Sequence, residues 1–254
     1  GSSRTDLPSR PLAARGAQHE QMASSRRSAR RLAALLCQLD VRSLSTCPDL
    51  SSRLTSLPRA LWPLASWHEE MARKGAFEES LAALRWYTDV AAANYRGLNR
   101  RLRDAGPGAK APPAAAAMDA MLWAGPRLAE PGLTLWRGFQ SAEYVHYAVT
   151  QEAKQVTDLA YMSCSLQRSV GNFYARRNAL LPEDLEDAVL LKIGVPAGAA
   201  VLCATCASAG VPSEEEVLLP RGSVLEIERV RRRNASSDVH LIEARLEVRE
   251  EEEG

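Results

Sequence analysis

An α+β fold is what the 254-residue sequence predicts, on three observations. Apolar residues recur at helical spacing mainly in the first half of the chain, seven short segments of strand character crowd the second, and Pro131-Gly132 marks the change of period between them. A chain of this length buries a sizeable core as one domain of ordinary size.

Residues 1–25 mix Ser, Pro, Gly, Ala and Gln without periodicity and read as a flexible leader. Over 1–31 the arginines Arg4, Arg10, Arg15, Arg26, Arg27, Arg30 and Arg31 face only Asp6 and Glu20, so this end is basic. The chain starts Gly1-Ser2 without methionine, which suggests a trimmed start. A helical lobe is expected over 26–130. "SARRLAALLCQLD" sets Leu32, Leu35, Leu36 and Leu39 on one face. From Phe77 through Leu81, Leu84, Tyr87, Ala91, Tyr95, Leu98 and Leu102 the spacing predicts one long helix, stopped by Gly106-Pro107-Gly108. A shorter helix, "AAAAMDAMLWAGPRLAE", precedes Pro131-Gly132.

A β-rich core is expected over 131–249, followed by an acidic tail over 250–254. Its strand candidates are "LTLWRG", "LAYMSCSL", "AVLLKIGVP", "AAVLCATCA", "EEVLLPRG", "SVLEIERVRR" and "VHLIEARLEV", with two short helices expected near 141–153 and 168–180. The last strand alternates: Ile242, Ala244, Leu246 and Val248 point one way, Glu243, Arg245 and Glu247 the other, as in a sheet wet on one face.

Composition narrows the function. A net charge of +1, from 32 basic and 31 acidic residues, offers no global attraction to nucleic acid or an anionic membrane. No apolar run approaches the roughly 20 residues a membrane-spanning helix needs. The five cysteines, Cys37, Cys47, Cys164, Cys203 and Cys206, are odd in number and scattered, which argues against a disulfide framework and for a reducing compartment. Cys203 and Cys206 form a CxxC, but no second pair lies nearby and His19, His68, His146 and His240 are isolated, so no metal site is expected.

Three segments carry chemistry. In "EEEVLLP", an extended entry to the strand sends Glu214 and Glu216 to one face and Glu215 to the other; two carboxylates in one space repel unless each has a partner or a reaction to serve. In "LTLWRG", Arg137 stands beside Gly138, and a fixed guanidinium next to a close-approach glycine suits a diphosphate. In "YMSCSL", Ser163 and Ser165 share a face of a short strand.

The order Arg137-Gly138, then Ser163-Cys164-Ser165, then Glu214-Glu215-Glu216-Val217-Leu218-Leu219-Pro220 resembles the R-S-E clade of mono-ADP-ribosyltransferases. In the helical lobe, Tyr87, Thr88, Tyr95, Asn99, Leu102 and Arg103 are similar to that family's helix, so the resemblance spans about 77–248. It implies an ADP-ribosyltransferase-like fold over 26–249, in which the helical lobe precedes a two-sheet β-sandwich core. It implies NAD as substrate, no metal, and an oxocarbenium-like transition state akin to glycoside hydrolysis. By the same resemblance, Glu216 holds the ribose 2′-hydroxyl and stabilises the developing charge, and Ser163 positions Glu216. Arg137 takes the diphosphate, the Gly138 backbone approaches the nicotinamide amide, and Phe173 is a candidate stacking partner for nicotinamide or a core residue. Glu214 accepts the guanidinium of a substrate arginine and helps remove its proton.

Departures from the family pattern are Cys164 for threonine, Trp136 for tyrosine, and no aromatic residue close before Glu214, which leaves acceptor preference open. Arg168, Arg176 and Arg177 add bulk and charge to the segment expected to cover NAD. The partner implied is a host protein with an accessible arginine, with no nucleic acid or membrane, and the chain is expected to be a monomer. Its Ala- and Arg-rich composition and leader suit an effector injected by a type III system of a plant pathogen into host cytoplasm. Two other readings are a binding protein for arginine-bearing peptide or protein without NAD turnover, and an NAD glycohydrolase.

Overall fold

A computed structural model describes residues 57–89, 92, 94–141, 154–177, 186–207, 214–232 and 239–248. The leader, the segment over 28–40, all but the first residue of the helix expected over 141–153, and the acidic tail lie outside these residues.

A 3-10 turn, Arg59–Leu61, leads into helix α1 (Trp62–Arg73), where Pro63 occupies a first-turn position that needs no amide donor. Next come α2 (Glu78–Thr88), α3 (Asn94–Ala105) and α4 (Pro113–Ala124). The single helix expected from residue 77 onward is therefore two. Asp89 turns extended, with φ −69° and ψ 102°. Its carboxylate accepts the Ala92 amide at 3.2 Å, while the Asn94 side-chain amide donates to the Trp86 carbonyl at 3.0 Å. Local side-chain bonds thus replace ladder bonds, a competition that periodicity does not register.

The strands are β1 (Leu133–Gln140), β2 (Gln155–Asp158), β3 (Met162–Ser165), β4 (Ala188–Val195), β5 (Leu202–Cys203), β6 (Glu216–Leu219), β7 (Ser223–Arg231) and β8 (His240–Leu246), with α5 (Arg168–Arg176) between β3 and β4. β2 was not anticipated, because "QVTD" lacks an apolar pattern. β5 is shorter than expected: the chain turns after Cys203, and the Ala207 amide bonds back to the Cys203 carbonyl at 3.0 Å. That turn brings the Cα atoms of Cys203 and Cys206 to 5.1 Å, within bridging span, and the two form a disulfide. The sequence argued against a disulfide framework; the one bridge among the described residues is this local CxxC pair. Cys164 is free and buried, and burial pushes its thiol up to about 12. Val248, expected on the inner face, lies past the end of β8 and is exposed.

The strands follow the order β2-β7-β8-β4-β1-β3-β6-β5, with β4 and β8 parallel and the other pairs antiparallel. Between β1 and β3 the ladder narrows to one pair, Trp136 with Ser165, so the sheet divides there into two halves. One core lies between the halves, with Leu135, Leu191 and Ile193 from one side and Cys164, Val217 and Leu219 from the other. A second packs α2, α3 and α4 on Leu202 and Leu218. α5 covers β1 and β4 through Ala175, Leu190 and Trp136. The result is the ADP-ribosyltransferase fold: helices, then a mixed sheet folded on itself.

Bonds between α2 and α3, and from α3 and α4 to the stretch before β3, anchor the helices. The Asn99 amide donates to the Tyr87 hydroxyl at 2.9 Å, and Arg103 grips Asp158 bidentately at 2.9 and 2.8 Å. The Tyr161 hydroxyl donates to Asp119 at 2.5 Å, whose other oxygen accepts from Arg221 at 2.6 Å.

Candidate active site

Sheet order aligns the three motifs. β1 carries Arg137, β3 carries Ser163 and Ser165, and β6 begins at Glu216, on three neighbouring strands beside the narrowed junction. Antiparallel pairing sets Glu216 opposite Ser165, which makes Ser163 its diagonal neighbour on the same face. The Ser163 hydroxyl donates to Glu216 Oε1 at 2.5 Å. Arg137 donates to the Ser163 carbonyl at 2.8 Å, which fixes the guanidinium; among the described residues no ion pair neutralises it.

Glu214 reaches the same pocket, but not through the extended backbone expected from the sequence. Glu215 has φ 45°, the left-handed region that residues other than glycine seldom adopt. The kink returns Glu214 toward the cavity, and β3 holds it in place. The Ser165 hydroxyl donates to the Glu214 carbonyl at 2.5 Å, and the Leu166 amide to the Glu215 carbonyl at 3.2 Å. Each serine of the pair therefore secures one glutamate: Ser163 the side chain of Glu216, Ser165 the backbone of Glu214.

The cavity holds about 380 Å³, within the usual range for small-molecule sites. Arg137, Gly138, Ser163, Glu214 and Glu216 all line it. Phe173 does not: it is 60% exposed on the outer side of α5, neither in the pocket nor in a core. Tyr174, one residue on, lines the cavity instead, with its hydroxyl donating to Glu214 Oε1 at 2.6 Å. Of the three arginines expected to crowd the cover, only Arg177 reaches the cavity; Arg168 lies over the Trp136 ring at 5.4 Å.

Gly138, which lines the cavity, is also needed for packing. A Cβ there would fall 1.8 Å from the Gly171 carbonyl oxygen and 2.4 Å from the Ala175 amide nitrogen, so its bare backbone seats α5 on β1. Tyr87, Thr88, Tyr95 and Arg96, from α2 and α3, complete the opposite wall, and Gln140 also borders the site. The tyrosine spacing of the helical lobe was the available signal for that wall; Tyr174 and Gln140 carried none.

Burial, the first cause, and the charge of Glu214 raise Glu216 from its ordinary 4.5 to about 7, while the Ser163 bond and Arg137 oppose the shift. Near neutrality this carboxylate is poised between its two forms. The arrangement offers a fixed cation for an anionic ligand, a buried carboxylate for a hydroxyl and an adjacent developing positive charge, and a second carboxylate for a cationic partner.

Residues 65–248, most of the chain, match the model of the ADP-ribosyltransferase exoenzyme family. No curated protein sequence matches the chain. Among solved structures, the ADP-ribosyltransferase HopU1 of Pseudomonas syringae pv. Tomato DC3000 is similar with a TM-score of 0.53 at 18% identity, over 74% of this chain and 85% of that one. Plx2a, an ADP-ribosyltransferase toxin from Paenibacillus larvae, is similar at 0.51 and 21%, over 72% and 94%. Exoenzyme S from Pseudomonas aeruginosa, solved with human 14-3-3 protein beta and carba-NAD, gives 0.50 and 15%, over 72% and 82%. At these identities the structural likeness is one of fold.

Proposed function

The chain belongs to the ADP-ribosyltransferase exoenzyme family, and from that premise we propose that it transfers ADP-ribose from NAD to an arginine of a host protein, as an R-S-E enzyme. NAD supplies a glycosidic bond whose cleavage places positive charge on a ribose. Arg137 binds the diphosphate. Glu216 accepts the ribose 2′-hydroxyl and stabilises the charge, an electrostatic effect worth several kcal/mol, on the order of 3. Ser163 holds Glu216 in orientation, and Glu214 pairs with the acceptor guanidinium and takes its proton.

The observation that carries this reading is the Ser163 hydroxyl on the Glu216 carboxylate, with Glu214 turned into the same cavity beside an Arg137 that has no ion-pair partner among the described residues. The exoenzyme S structure holds an NAD analogue, which supports NAD as the ligand. Type III secretion into host cytoplasm rests on the basic leader and the composition, and action as a monomer is part of the same proposal.

Incubation of the purified chain with NAD labelled in the adenylate, together with host extract, tests the reading. Label on protein is the expected product. Free ADP-ribose alone would mark a glycohydrolase, and neither product would mark a binding protein, for which Arg177 at the cavity wall is the supporting observation. Glu216→Ala is expected to lower turnover at least about 100-fold, and Glu214→Ala to lose transfer to arginine while keeping some hydrolysis.

A further inference from the structure

Tyr174 is used by none of the sequence motifs and none of the chemistry above. Its hydroxyl donates to Glu214 Oε1 at 2.6 Å. Burial, then that bond and the charge of Glu214, hold the phenol above its ordinary value, so it remains a donor throughout the neutral range. Among the described residues no ion pair involves Glu214, so its charge stays available to an incoming cation while Tyr174 fixes one of its oxygens. The ring already serves as a cation platform: the Arg177 guanidinium lies 5.6 Å from its centroid, and Arg177 lines the same cavity. A carboxylate beside an aromatic face is a receptor for guanidinium, whose fork meets the oxygens while its plane meets the ring.

We propose that Tyr174 is a specificity-determining residue of the acceptor side of the pocket: its hydroxyl positions the Glu214 carboxylate, its ring receives the acceptor guanidinium, and Arg177 is an internal occupant that the acceptor displaces. This rests on the reading of arginine as acceptor. It predicts effects of opposite sign at two adjoining side chains, which loss of packing alone does not produce.

The test is titration of the full chain with agmatine, a free alkylguanidine, in the absence of NAD, with thermal midpoints confirming that each variant is folded. Tyr174→Phe keeps the ring and loses the hydroxyl, and is expected to weaken agmatine about tenfold. Tyr174→Ala loses both and weakens it about threefold more, whereas Arg177→Ala uncovers the ring and tightens it about threefold. Wild-type affinity in both Tyr174 variants, weaker binding in Arg177→Ala, or no agmatine binding by the wild type would each overturn the proposal. Because NAD is absent, the two readings fail separately. A chain that binds agmatine through Tyr174 yet releases no nicotinamide from NAD retains this inference and loses the transferase reading. One that labels host protein from NAD but is indifferent to Tyr174 and Arg177 does the reverse.

Discussion

Glu216 is 8% exposed, with a second carboxylate acting on it and one hydroxyl bonded to it, and this combination governs its proton. With a folded value near 7 against an ordinary 4.5, the protonated form prevails through mildly acid solution. In the proposed mechanism ionised Glu216 is the competent form, so kcat/KM for NAD is expected to rise with pH through about 7 and level above it. Removing the Ser163 bond removes an influence that favours ionisation, so Ser163→Ala is expected to shift that limb to higher pH, as read in a pH–rate profile. The stability effect has the opposite direction. A raised folded value means the native state holds the proton longer than the unfolded chain, so the contribution is present below 4.5 and lost as pH rises through about 7. The loss is on the order of 3 kcal/mol, and Glu216→Gln is expected to raise the thermal midpoint at pH 8 far more than at pH 4. The carboxylate proposed to act on NAD is thus held at the expense of stability.

Helix α5 is where element packing determines site geometry. It sits on β1 because Gly138 and Gly171 have no side chains: a Cβ on Gly171 would meet Leu190 at 2.9 Å and Trp136 at 3.1 Å. Gly138→Ala is expected to destabilise the protein by about 2 kcal/mol or more through overpacking, read by denaturant unfolding. Because the clash is with the α5 backbone, the helix must shift, and Tyr174 moves from Glu214 with it. Much of this was beyond reading in the sequence. That Arg137, Ser163 and Glu216 meet in one cavity was legible because the order of their three motifs resembles the family pattern, though no one of the motifs carried it alone. Which face of α5 meets the cavity was not, since the choice between Phe173 and Tyr174 depends on how the helix is seated on β1. Nor was the conformation of Glu215, which follows from bonds that Ser165 and Leu166 make to the turn.

On the scale of the molecule, the pocket lies where a sheet folds on itself and a helical lobe closes over the junction. The α+β class and the change of period at Pro131-Gly132 were readable because each side repeats its pattern many times. The break at Asp89, the strand Gln155–Asp158 and the Cys203–Cys206 bridge were not, since each depends on a few local or long-range bonds against which periodicity carries no weight. The topology carries a functional consequence: the strands of Arg137, Ser163 and Glu216 are neighbours, so a single cavity contains a cation, a poised carboxylate and a second acid. Release of nicotinamide from NAD at pH 8, compared between the wild type and Glu216→Ala, tests this account most directly. Turnover by the wild type and a loss of at least about 100-fold in a folded variant are the results expected; equal rates in the two proteins, or no release by the wild type, would contradict it.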